Sequence, residues 1–114
     1  MKDDRFYLVH ITECIARVLD YTKAGKNFFL SDARTQDAVI RNLQIMAESS
    51  QRLSDAFKSK HSELDWRGLA GFRNVLVHGY LGVDVGRVWE IVENRIPEIK
   101  RQVERMLEEL GTAR

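Results

Sequence analysis

Residues 31–53, SDARTQDAVIRNLQIMAESSQRL, decide the fold class. Val39, Leu43, Met46, Ser50 and Leu53 recur at alternating steps of four and three, and Phe57 extends the series. That is the spacing of one helix face, close to a heptad seam. It predicts a helix from Asp32 to Lys58, about 40 Å long at ~1.5 Å per residue. Ser31 is the expected cap, with Asp32 favourable in the first turn. Arg34 stands where a capping box needs Glu or Gln. Ser50 within the stripe leaves room for a neighbouring helix.

Working outward, Tyr7, Ile11, Cys14, Val18 and Tyr21 share a face and predict a helix from Asp4 to Tyr21. The stretch TKAGKN then breaks the pattern. A short helix is expected from Asp65 to Val77 or His78. The last follows GVDVG, with Asp84 as a possible cap. It carries Trp89, Val92, Ile96, Ile99, Val103, Met106 and Leu110 on one side. Pro97 removes a backbone donor, so a kink is expected near Glu93 to Pro97. One proline and seven glycines in 114 residues argue against a many-turned β fold. The expectation is a single all-α domain over 1–114, an up-and-down bundle of three long helices and one short one.

The net charge of +1 gives no global pull toward nucleic acid. Lys58, Lys60, Arg67 and Arg73 against Glu63 and Asp65 make only a mild basic excess. Cys14 is the single cysteine, so no internal disulfide can form, and its spacing with Ile11, Ile15 and Val18 reads as a core thiol. His10 and His61 lack partners at metal-ligand spacing, and no metal or cofactor is expected. Trp66 and Trp89 read as core anchors. No apolar run approaches the ~20 residues of a membrane span. MKDDRFYLVH has acids where a signal peptide is apolar, so a cytoplasmic location is expected.

Residues 73–80, RNVLVHGY, depart from this plain pattern. On a helical wheel Leu69, Leu76, Val77 and Tyr80 fall within about 60° of Arg73. Arg73 is therefore expected at the centre of an apolar stripe, with Gly68, Gly71 and Val75 opposite. The small face is expected to pack inside the bundle. The face bearing Leu69, Arg73, Leu76 and Tyr80 is expected to meet a partner, because arginine is almost never buried unpaired. A structural salt bridge for Arg73 is the plainer alternative. Gly79 can end the helix and free the His78 imidazole, and Asn74, four residues earlier, can orient it. Arginine pairs with phosphate bidentately and histidine moves protons near neutral pH. With no Cys, Ser or metal cluster beside them, these groups suit transesterification of an RNA phosphodiester by its own 2′-hydroxyl.

RNVLVHGY resembles the R-x4-H-x-Y motif of the HepT toxins in the HEPN superfamily. The flanks SDARTQDAVIRNLQIMAESSQRL, WRGLAGFRN and VDVGRVWEIVENRIPEIKRQV are similar to that family's helices. The resemblance covers roughly Asp20 to Leu107. One departure is Ala47, Glu48 and Ser49, where the family usually has Gly-Glu-Ala. The resemblance implies a HEPN-like bundle and a homodimeric, metal-independent RNase toxin with Arg73 and His78 catalytic and Asn74 in support. It also implies a partner antitoxin, the minimal nucleotidyltransferase MntA, which attaches AMP to the motif tyrosine, here Tyr80. A non-catalytic helical module that partners a nucleotidyltransferase is the competing expectation.

Overall fold

The computed structural model describes residues 3–77 and 84–112, and all secondary structure among them is α-helical. Seven helices are described: α1 (Asp4–Tyr21), α2 (Lys26–Ser31), α3 (Ala33–Gln51), α4 (Asp55–Lys60), α5 (Trp66–Val77), α6 (Val85–Asn94) and α7 (Ile96–Thr112). The long helices form the bundle. α1 packs along α3 and α7, α3 packs against α5, and α6 turns back onto α7.

The first helix has the bounds its periodicity predicts. Asp3 caps it by accepting the Phe6 N–H. Leu8, Ile11, Cys14, Ile15 and Val18 are buried. Tyr7 is only half-buried and Tyr21 is exposed, so the core face is centred closer to Leu8 and Ile15 than the sequence suggested. Burial pushes the Cys14 thiol above its ordinary range, which keeps it protonated at neutral pH.

The expected single helix from Asp32 to Lys58 is two. Asp32, not Ser31, is the N-cap of α3, and it accepts from the Thr35 N–H and hydroxyl. Those bonds, the hydroxyl's first, hold its carboxyl below the usual range. Ser31 instead ends α2, a helix the sequence pattern did not reveal. α3 stops at Gln51, and Ser54 starts α4 by accepting the Phe57 N–H at 3.1 Å. The predicted stripe survives the break: Val39, Leu43, Met46, Ser50, Leu53 and Phe57 are all buried. The Ser50 hydroxyl satisfies its burial by donating to the Ala47 carbonyl at 2.6 Å. Ser54 also donates its N–H and hydroxyl to the two Asp4 carboxylate oxygens, each at 2.8 Å. This clip ties the turn between α3 and α4 to the first turn of α1.

Pro97 opens a helix instead of kinking one. The break falls at Arg95, between α6 and α7, and Pro97 is the second residue of α7. A first-turn proline has no intrahelical acceptor to lose, whereas mid-helix its ring would clash with the carbonyl four residues back. Arg95 uses the break. Its guanidinium lies 3.8 Å from Asp65 and 5.7 Å from the Phe72 ring centroid.

The expected sidedness of α5 is corrected. Leu69 and Leu76, two of the four residues expected to meet a partner, are buried within the protomer, as is Phe72 beside them. Phe72 draws the centre of the stripe away from Arg73, which lies exposed at its edge. The glycines do not mark a tight helix contact. A side chain at Gly71 would meet nothing, while one at Gly68 would run into the Asp65 carboxylate that accepts its N–H. Of the two tryptophans, Trp89 is buried, and half-buried Trp66 donates its indole N–H to the His61 carbonyl at 2.9 Å.

Candidate active site

Arg73 is carried by α5 at the level where α5 crosses the C-terminal end of α3. Its exposed side chain lines an open groove of about 450 Å³ with Glu48, Gln51 and Arg52. The groove's composition follows from α3's core face. With Met46, Ala47, Ser49 and Ser50 buried, Glu48, Gln51 and Arg52 are the positions left facing out. Ala47 and Ser49 are thus buried, while Glu48 between them faces the groove.

Two guanidinium groups line this space, and neither Arg73 nor Arg52 forms a salt bridge or side-chain hydrogen bond among the described residues. A guanidinium cannot shed its charge at any working pH. Left facing solvent in a concave site, it is an open receptor for an anion, and its planar fork matches a phosphate. The structural salt bridge that would have explained Arg73 blandly is therefore missing among the described residues.

Asn74 follows Arg73 on α5, but its side chain lies outside the description. His78 and Tyr80 lie outside the described residues altogether, in the segment that joins α5 to α6. Asp84 resumes the described chain as the predicted cap of α6, accepting from the Gly86 and Arg87 N–H groups. Among the described residues no group of three or more His, Cys, Asp or Glu side chains could hold a metal ion, and no helix is long and apolar enough to cross a membrane.

The sequence reading missed Gln51 and Arg52. Their signal was present in the spacing of Glu48 and Arg52, four apart on a helix and hence on one side of it. What it lacked was knowledge that this side of α3 faces α5.

A family model described as ribonuclease HepT-like matches residues 11–106. A "Probable ribonuclease HepT" of Thermococcus cleftensis is 40% identical over 101 residues, covering 88% of this chain and 92% of that protein. A "Putative RNase" of Caldanaerobacter subterraneus is 36% identical over 110 residues, 95% of this chain and 97% of that protein. A "Gamma-glutamylcyclotransferase and putative RNase" of Methanocaldococcus jannaschii is 37% identical over 110 residues, and there the chain spans only 50% of the relative's length. No solved structure gives a significant match. The class is thus an all-α ribonuclease. The chain belongs to the HepT-like ribonuclease family.

Proposed function

We propose that this ribonuclease is the toxin of a toxin–antitoxin pair, an endonuclease that cuts RNA without a metal ion. The observation that carries the reading is Arg73, an exposed guanidinium in a groove with no ion-pair partner among the described residues. Arg73 binds the scissile phosphate and stabilises the charge that builds on it. His78 takes the proton of the 2′-hydroxyl or returns one to the leaving oxygen, and Asn74 orients its ring. The attacking group belongs to the substrate, so DNA is not cut. Labelled RNA incubated with the protein in EDTA should be cleaved to ends bearing a cyclic phosphate. A strict requirement for added divalent metal would overturn this chemistry.

The proposed active form is a homodimer that brings two such motifs together. With Leu69 and Leu76 already inside the protomer, the contact uses the exposed edge of α5 and the segment bearing His78 and Tyr80. Sedimentation should give a dimer at micromolar concentration. A monomer there would refute the shared-site arrangement.

Tyr80 is the proposed point of control by an MntA-like nucleotidyltransferase antitoxin. Each AMP joined to its phenol oxygen adds about one negative charge near Arg73, where it competes with substrate phosphate. Tyr80→Phe keeps the ring and loses the acceptor. It should stay toxic when co-expressed with the antitoxin, and its intact mass should show no adenylyl gain. A Tyr80→Phe protein that is still adenylylated and silenced would place the acceptor elsewhere.

A further inference from the structure

Next to the Arg73 groove lies a second depression of about 240 Å³, lined by Phe6, Tyr7 and His10 of α1, Ile45, Glu48 and Ser49 of α3, and Arg52 at its end. Glu48 and Arg52 line both, so the two depressions adjoin. The α1 wall is aromatic. The Phe6 and His10 rings meet at a tilt of 57° with centroids 4.5 Å apart, and Phe6 meets Tyr7 edge-on at 5.2 Å. All three are half-buried. The Tyr7 hydroxyl and both His10 ring nitrogens make no hydrogen bond among the described residues.

We propose that this depression is a nucleotide subsite for single-stranded RNA, in which Phe6, Tyr7 and His10 receive an unpaired base and Arg52 holds a phosphate flanking the one at Arg73. The proposal rests on the ribonuclease reading and deepens it. Three observations select this occupant. Flat π surfaces with unused polar tips are what a splayed base stacks on and bonds to. Two cations without ion-pair partners among the described residues line the Arg73 groove, and such cations pair with backbone phosphates. The third is adjacency, since Glu48 and Arg52 line both depressions, and a strand running from Arg73 past Arg52 comes beside the α1 wall. Glu48 is the one carboxylate lining either part among the described residues. Sharing the groove lining with two guanidiniums, it can accept from an amino-bearing base edge without facing a phosphate alone. The wall is also held in place. The Asp4–Ser54 clip fixes the turn that carries Arg52 against the first turn of α1, so the subsite exists before substrate arrives.

The test separates binding from cleavage. In the full-length His78→Ala protein, anisotropy is measured with a fluorescent single-stranded RNA of about ten nucleotides, and with the same strand as a duplex. The single strand should bind more tightly. Tyr7→Ala, His10→Ala and Arg52→Ala should each weaken it by about fivefold or more, the scale of losing one stacked base or one phosphate contact. Arg52→Ala should also flatten the salt dependence. Arg52 is exposed, so this variant keeps the experiment decisive even if an aromatic variant misfolds. With His78 restored, the loss should fall on KM more than on kcat. If all three variants bind as the parent does while the parent still cuts RNA, the subsite is wrong and the ribonuclease reading stands. If the parent neither binds nor cuts RNA, both fail. If the variants instead shift the sedimentation profile with RNA affinity intact, the depression is a contact between copies and the proposal is overturned.

Discussion

Arg73→Ala and His78→Ala should each lower the rate of RNA cleavage by at least ~100-fold, the cost of losing charge stabilisation or a proton-transfer group at the transition state. That factor corresponds to about 2.7 kcal/mol of barrier. The fold should not respond to Arg73→Ala, because the side chain is exposed and forms no ion pair among the described residues. Arg73→Lys should recover only part of the rate. It restores a cation but not the planar fork that grips two phosphate oxygens. Thermal unfolding of the variants alongside the kinetics distinguishes lost chemistry from lost structure. Variants that fold and cut as fast as the parent would remove both residues from the reaction and favour the non-catalytic module.

The way the site could be read from sequence follows from what periodicity measures. Spacing along one helix reports which residues share a face. It found α1 to the residue, and every position it assigned to the stripe from Val39 to Phe57 is buried, though Asn42, Ala47 and Ser49 are buried beside them. It could not see that this stripe crosses a helix break, because Leu53 and Phe57 keep the register while Ser54 caps a new helix between them. The Ser-Asp pair at Ser54 and Asp55 was the available signal, and the seam masked it. Spacing also cannot say which face meets which neighbour. On α5 the wheel placed Arg73 at the stripe's centre, yet Phe72 shifts the core toward the other side and leaves the arginine at the rim. That shift leaves Arg73 exposed to solvent. The motif named the arginine, while its neighbours Glu48, Gln51 and Arg52 emerge only when α3 and α5 pack.

The neighbouring phenylalanines Phe28 and Phe29 should give opposite results on truncation, and the contrast tests how the missed helix α2 is held. A six-residue helix is not stable alone, since nucleation costs more than one turn returns. Gly25, at φ 98°, turns the chain into it at a backbone angle that glycine tolerates best. Phe29 then anchors it. Its ring is fully buried, with its centroid 5.4 Å from that of Trp89 on α6, and its carbonyl accepts from the Gln36 side chain at 2.9 Å. Phe29→Ala removes that ring from a packed core, which should cost about 3–5 kcal/mol. A domain of this kind has a total of roughly 5–15 kcal/mol to lose. Phe28, 47% exposed on the same helix, should change stability by no more than about 0.5 kcal/mol when truncated. Urea unfolding of the two variants measures the difference. Their cleavage rates, taken where both remain folded, should match the parent. α2 joins the N-terminal end of α3, whereas the Arg73 groove lies at its C-terminal end, roughly 25–30 Å along the helix. A folded Phe29→Ala protein with a large loss of activity would mean that α2 reaches the chemistry after all.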